Sequence, residues 1–350
     1  MIHPVSVNNR KMKKTLLILI AVLVAAACSN VDIEFDDFDH QTIYFPYQTP
    51  VRSIILGDES VGDNTIDLEH AFSIGVAMGG TYENVKDRIV TVEYAPELGE
   101  NITDEDGNPM EVLPLDYYDA VFDKIIIPAG QFSGRMRVDL NDAFFEDPLS
   151  ATTHYVLPVR ITDAEGDTVL HGDPALVADP DPRVAEDWDV VPKDYTLFGI
   201  KYTNETHGMY LLRGERIKLS TNDTVAYSER FLTANSMTKL STLSLTENIM
   251  DVVAGTFAGN YFLIRLTFNK EDKTVTVSQV DATTVGASGS GVYYTKDDSE
   301  SEGFNDKKHR TIYLDYTIDQ FGTLYAVKDS LVFVDTDVVF EEFVVTVVEP

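Results

Sequence analysis

Cysteine is almost missing from this chain: Cys28 is the single one in 350 residues. Without a second thiol no intramolecular disulfide can close and no cysteine-based metal site can form. Tryptophan occurs once, at Trp188. Positive charge is scarce, since 27 lysines and arginines face 58 acids and leave a formal net charge of -31. A field of that sign repels nucleic acid and anionic lipid surfaces, so DNA and RNA are excluded as partners. Long apolar runs are absent as well. Residues 16–27 form a run that spans about 18 Å as a helix, and a stable membrane span needs about 20 residues. Nor does any stretch beyond residue 40 show a long apolar stripe of helical period, which argues against a helical fold.

What is present begins with a targeting signal. Arg10, Lys11, Lys13 and Lys14 make a basic start, residues 16–27 are apolar, and Ala25, Ala26 and Ala27 lead into Cys28. A basic region, a short apolar region and small residues at the cut mark a secretory signal peptide, expected over 1–27. Cys28 sits where a lipoprotein signal peptidase acts, and the segment resembles a bacterial lipobox, with Ala25 in place of the usual leucine. The resemblance implies a lipid on Cys28 and attachment to the membrane through that anchor only. Residues 1–27 carry four basic and no acidic side chains, so the remainder has a formal charge near -35. Residues 28–39, with Asp32, Glu34, Asp36, Asp37 and Asp39, are expected to form an acidic tether. Acids close behind a lipidated cysteine resemble the surface-export signal of Bacteroidetes lipoproteins, which implies an outer-membrane protein exposed at the cell surface.

From residue 40 onward strict alternation dominates. Phe72, Ile74, Val76 and Met78 share one face, as do Met136, Val138 and Leu140. Phe262, Ile264, Leu266 and Phe268 repeat the pattern, and so do Ile312, Leu314, Tyr316 and Ile318. Period-two patterning means half-buried strands, so the expected fold is all-β. Short turns such as Asp104-Glu105-Asp106-Gly107-Asn108 and Asn269-Lys270-Glu271-Asp272-Lys273 imply antiparallel neighbours. Pro158 suggests an edge or a bulge within 155–161. A run of proline and acid through 173–193 reads as an extended linker. The expected division is a sandwich over 40–178, a linker over 179–189 and a second domain over 190–350. Roughly seven strands in the first suit an immunoglobulin-like antiparallel β-sandwich. Nine or ten in the second suit an antiparallel β-barrel or a larger sandwich.

Two stretches of the first domain carry a further resemblance: Gln41-Thr42-Ile43-Tyr44-Phe45-Pro46-Tyr47-Gln48-Thr49-Pro50-Val51-Arg52 and Ile125-Ile126-Ile127-Pro128-Ala129-Gly130. They look like the N-terminal domain of Bacteroidetes surface lipoproteins, including some endo-β-N-acetylglucosaminidases. Phe198-Gly199-Ile200-Lys201-Tyr202, Gly208-Met209-Tyr210-Leu211-Leu212-Arg213-Gly214, Val285-Gly286-Ala287-Ser288-Gly289-Ser290-Gly291 and Asp329-Ser330-Leu331-Val332-Phe333-Val334-Asp335 resemble the uncharacterised domain that often follows it. The resemblance implies an immunoglobulin-like spacer and a role beside polysaccharide uptake, with a glycan as ligand and outer-membrane uptake machinery as partner. Some relatives have been labelled adhesins, which keeps an adhesive or structural role that binds proteins as the alternative.

The residues themselves argue against catalysis. With 58 acids, pairs of carboxylates carry no information about glycoside hydrolysis. The D-x-x-D-x-D-x-E motif of the endoglycosidase relatives is absent, and the second half is too short for their barrel. Gly286-Ala287-Ser288-Gly289-Ser290 fails as a nucleophile elbow and reads as a small-residue bend leading into a strand. His40, His70, His154, His171, His207 and His309 are scattered, without metal-ligand spacing, so no metal and no cofactor is expected. Asp104 to Gly107 does not fit an EF-hand, because Ile102 falls at the first loop position. For sugar binding the candidates are aromatic: Trp188, the pair Tyr117 and Tyr118, and the pair Tyr293 and Tyr294. A tyrosine pair in a strand sends one ring to each face, and the outer ring offers a flat apolar body with a polar tip.

Overall fold

The structure is a computed structural model describing residues 40–60, 62–252, 262–281 and 286–348. Cys28, the signal peptide over 1–27 and the tether over 28–39 lie outside the described residues. The fold is nearly all β, a two-sheet sandwich followed by a closed barrel.

Eight strands frame the sandwich: β1 (Thr42–Tyr44), β2 (Pro50–Ile55), β3 (Ala71–Gly79), β4 (Arg88–Tyr94), β5 (Lys124–Ile127), β6 (Ser133–Leu140), β7 (Tyr155–Ala164) and β8 (Tyr195–Thr203). One sheet runs Thr168–Val169, β1, β3, β6, Tyr118–Asp119. The other runs Glu341–Glu342, β2, β8, β7, Pro109–Val112, Ile102–Thr103, Thr346–Val347, and β4 joins β7 to β5. The alternation read from the sequence is realised here. Phe72, Ile74, Val76 and Met78 are buried, and β6 alternates exposed and buried along its length. Together with Ile43 of the same sheet, these side chains meet Val90, Val159 and Ile200 from the facing sheet in one core. Each fully buried side chain of this size contributes about 1.5–3 kcal/mol.

Three features depart from expectation, each for a physical reason. The sheets are not wholly antiparallel: β1 with Thr168–Val169, β2 with β8, and β7 with Pro109–Val112 are parallel pairs. Parallel neighbours need long connections, and the chain supplies them by leaving a sheet and returning. Pro158 is central, not at an edge. Val156 pairs with Val112 and Val159 with Tyr94, so the missing N–H falls where one neighbouring strand ends and the next begins. A bulge does follow, between Ile161 and Asp163. Finally, the break between domains comes later than 179–189. Strand β8 lies between β2 and β7, and both of its faces are covered. Residues 173–193 are a largely exposed loop tied to the sandwich by hydrogen bonds: Asp173–Pro174 pairs with Trp188–Val190, and Arg183 donates to the carbonyls of Leu98 and Glu100 at 3.1 and 2.7 Å.

Eight strands then close the barrel: β9 (Gly208–Lys218), β10 (Ser236–Thr242), β11 (Glu247–Val252), β12 (Phe262–Asn269), β13 (Thr274–Gln279), β14 (Gly286–Tyr294), β15 (Thr311–Gln320) and β16 (Thr323–Asp335). Each is antiparallel to the next, and β16 pairs back onto β9 from Met209↔Asp335 to Lys218↔Tyr325. Asp223–Tyr227 folds against the far half of β9. Eight strands give an interior that side chains just fill, here Ile264, Leu266, Val275, Val277, Ile312, Leu314 and Leu331 among others. The glycine-rich run 286–291 is strand rather than bend. A Cβ on Gly289 would collide with the backbone of Tyr316 on the neighbouring strand, which is why the wall is made of small residues there.

The joint between sandwich and barrel is polar. Thr206 donates to the Asn248 amide oxygen at 2.6 Å, and Asn204 donates to the Ser244 and Glu247 carbonyls at 2.8 and 3.1 Å. Burial pushes the His207 imidazole down to about 4, so its neutral Nδ1 accepts from the Thr242 backbone N–H at 3.0 Å. A loop of the sandwich also reaches the barrel: Asp58 pairs with Lys296 at 2.9 Å, and Glu59 accepts from the Arg310 backbone N–H at 2.8 Å.

Candidate functional site

The segment between β1 and β2 is braced by Pro46 and Pro50 and tied down on three sides. Phe45 N–H donates to the Lys193 carbonyl at 2.8 Å, Leu197 N–H to the Gln48 carbonyl at 2.6 Å, and Phe343 N–H to the Thr49 carbonyl at 3.0 Å. Gln48 Nε2 closes the turn onto the Phe45 carbonyl at 2.9 Å. Held in this way, Tyr47 stays 46% exposed. Its ring leans on Phe340, itself 61% exposed, with centroids 4.7 Å apart and planes at 49°.

These two rings border a cleft of about 220 Å³, walled further by Phe45, Pro46, Pro50, Ile74, Gly75 and Phe198. Phe198 is stacked on Phe72 at 5.4 Å, which fixes its ring from behind. Two polar groups interrupt the apolar wall. Thr196 is buried, and its hydroxyl has no hydrogen-bond partner among the described residues. A buried hydroxyl left unpaired costs on the order of 1–3 kcal/mol, a cost that a ligand hydroxyl would remove. Arg52 is the other. Its guanidinium pairs with buried Asp67 and donates to the Ser53 carbonyl at 2.7 Å.

Arg52 also lines a second hollow of about 570 Å³, shared with Asp63, Thr65, Glu69, Ser73, Arg135 and Arg137. Here Arg137 donates to Glu69 at 2.7 Å and to Asp139 at 2.8 Å, and these carboxylates raise its pKa. Flat rings, one orphan hydroxyl and a bank of charges form a surface suited to sugars: apolar faces for ring faces, donors and acceptors for hydroxyls.

None of the aromatic residues singled out from the sequence lines this cleft. Trp188 is half-buried in the loop 173–193, where its Nε1–H donates to the Asp181 carbonyl at 2.8 Å. Tyr117 is half-buried and donates to Asp147 at 3.0 Å, while Tyr118 points into the core. Tyr293 lies inside the barrel, edge-on to Phe268 at 5.5 Å. Tyr294 is half-buried on the outer face, edge-on to Tyr313 at 6.1 Å. Tyr293 and Tyr294 point to opposite faces of their strand, whereas Tyr117 ends the short turn Leu115–Tyr117 and packs half-buried against the same core as Tyr118; the structure does not bring these rings together. The residues that do converge, Tyr47, Arg52, Thr196, Phe198 and Phe340, come from three separate stretches. The one local signal was a tyrosine between two prolines.

Elsewhere, the Asp104 carboxylate accepts from Asp106 N–H at 3.0 Å and from Asn108 N–H at 2.8 Å, so its own turn occupies it. His171 lies 2.7 Å from Asp194, and His309 lies 3.5 Å from Glu59. Among the described residues no group of three or more His, Cys, Asp or Glu side chains is arranged to hold a metal ion. No helix among them is long and apolar enough to cross a membrane.

A family described only as an N-terminal domain matches residues 38–168, and DUF5627, a domain of unknown function, matches residues 205–337. Their limits bracket β8, the strand that ends the sandwich. No curated protein matches. Among solved structures, a protein of unknown function from Bacteroides ovatus is 32% identical with a TM-score of 0.77, covering 89% of this chain and 100% of its own. A second Bacteroides ovatus protein of unknown function is 13% identical with a TM-score of 0.39, covering 87% of this chain and 99% of its own. An auxiliary nutrient binding protein from Bacteroides thetaiotaomicron is 14% identical with a TM-score of 0.38, covering 80% of this chain and 89% of its own. With that identity over the whole of the first Bacteroides ovatus protein, the chain belongs to the same family, and it carries a DUF5627 domain as its second half.

Proposed function

We propose that this protein is a non-catalytic, lipid-anchored protein of the outer membrane that captures glycans at the cell surface for an uptake system. The observation that carries the reading is the cleft, where the exposed rings of Tyr47 and Phe340 stand beside the unpaired hydroxyl of Thr196. Aromatic faces take the apolar face of a sugar ring, and a desolvated hydroxyl rewards a ligand that can hydrogen-bond to it. The signal peptide and Cys28 supply the route to the surface.

The ligand test is affinity electrophoresis and a glycan array with the full-length chain in mild detergent, beside a Tyr47→Ala/Phe340→Ala variant. Retention by at least one polysaccharide class, weakened at least tenfold in the variant, is expected. Absence of retention across a broad panel would overturn the glycan reading and favour a protein partner. Location is tested separately by treating intact cells with proteinase. The surface reading expects the protein to be degraded while periplasmic markers survive, and protection of the protein would sink it.

A further inference from the structure

Arg135 stands in the exposed row of β6, directly opposite Gly75 of β3. Its stem lies 3.7 Å from the point that a Cβ on Gly75 would occupy. Gly75 lines the aromatic cleft, Arg135 lines the polar hollow, and Arg52 lines both. The two hollows therefore adjoin, with small residues, Ser73 and Gly75, between the rings and the charges.

The three arginines at this place are not equivalent. Arg52 is committed to Asp67 and to the Ser53 carbonyl. Arg137 is held by Glu69 and Asp139. Arg135 has no ion pair, hydrogen bond or ring contact among the described residues, and it is the one described arginine of which this is true. The chain carries 58 acids against 27 basic residues, so partners for a guanidinium are abundant everywhere. An arginine without one, on the wall of a ligand-sized hollow, is free to bind an anion from outside. Its planar fork matches a carboxylate or sulfate with two parallel N–H···O bonds.

We propose that the glycan taken by this cleft carries a carboxylate or sulfate group, which Arg135 holds while a neighbouring sugar ring stacks on Tyr47 and Phe340. This rests on the glycan reading above and narrows it to anionic polysaccharides. The charge of the whole chain opposes such ligands at long range. Exposed charges more than about 8 Å away are largely screened at physiological salt, so the local contact decides. A ligand of this class is then selected by position: it binds where the unpaired guanidinium stands beside the rings.

The test uses two matched pairs of polymers, polygalacturonate with its carboxyl-reduced form and dextran sulfate with dextran, on the full-length chain in mild detergent. One charged member should be retained about tenfold more strongly than its neutral partner, and which pair responds separates a carboxylate from a sulfate. Arg135→Gln should abolish that preference, bringing retention of the charged polymer down to that of its neutral partner, and Arg135→Lys should keep part of it. Equal retention of charged and neutral members, or a preference that survives Arg135→Gln, would overturn the proposal. If neutral polymers alone are retained, and lost with Tyr47→Ala/Phe340→Ala, the glycan reading stands and only this inference fails. Failure of every polymer and of the broad panel removes both.

Discussion

Asp329 points into the barrel from β16, and its carboxylate accepts from the phenols of Tyr227 at 2.5 Å and Tyr316 at 2.6 Å. Burial pushes its pKa up to about 6, against the opposing pull of the two hydrogen bonds. An unperturbed aspartate titrates at about 3.9, so the folded state holds this proton more tightly than the unfolded chain does. The stability that this group contributes is therefore full below about pH 4 and is lost as the pH rises through about 6. A displacement of that size corresponds to about 3 kcal/mol in full, of which about 2 kcal/mol falls between pH 4.5 and 7.5. Asp329→Asn keeps the shape and removes the titration. In urea unfolding, the wild type is expected to lose about 2 kcal/mol relative to this variant over that interval, whereas parallel pH profiles would refute the assignment. No reading of the sequence marks this acid among 58. Tyr227 lies 102 residues away from it, and only barrel closure brings the pair together. The cleft was illegible for the same reason. Tyr47 and Phe340 belong to opposite ends of the described chain, and neither Thr196 nor Arg135 carries a local signature of its role.

Where one face of a strand meets water, the sequence and the structure agree. Residues 262–268 and 312–318 alternate because the barrel has an inside and an outside, and β3 and β6 alternate for the same reason in the sandwich. Where that asymmetry is missing, the sequence carries no clear period. Strand β8 is covered on both faces, so Leu197, Ile200 and Tyr202 carry no clean period, and a nearby run of prolines drew the boundary instead. Pro158 sits inside the sheet because a proline is excluded from a sheet interior only if its N–H is required. In β7 the neighbouring strand changes at that point, and the Pro158 carbonyl is still used, accepting from Ala95 N–H at 3.1 Å. The glycines at 286, 289 and 291 looked like a bend because small residues usually loosen a strand. Here they admit Tyr316 and Leu314 from the adjacent strand, a contact that is invisible from within their own segment.

On the scale of the whole molecule, the chain enters the barrel from the sandwich and comes back to it. After β16, Glu341–Glu342 pairs with β2, and Thr346–Val347 pairs with Ile102–Thr103. Phe343, Val345 and Val347 pack on Ala95, Leu98, Tyr195 and Leu197, and Lys201 pairs with Glu341 at 2.7 Å. The ring of Phe343 lies over Gly199, where a Cβ would press on it at 3.0 Å. The sandwich is thus completed by residues that follow the barrel in sequence, so its stability depends on a strand pair made after everything else. Three partly buried apolar side chains at about 1 kcal/mol each put that contribution near 3 kcal/mol. A chain ended after Phe340 keeps the whole barrel and loses only this return segment. Trp188, the single tryptophan, sits half-buried in the loop 173–193 of the sandwich and reports on that domain. Removing the segment should shift the urea midpoint seen by tryptophan fluorescence downward and separate it from the midpoint seen by circular dichroism, which includes the barrel strands. An unchanged fluorescence midpoint would mean that the sandwich stands without its return segment. A loss that moved both signals together would mean that the two domains unfold as one unit, held by the joint at Asn204, Asn248 and His207 and by the contacts of Asp58 and Glu59 with the barrel.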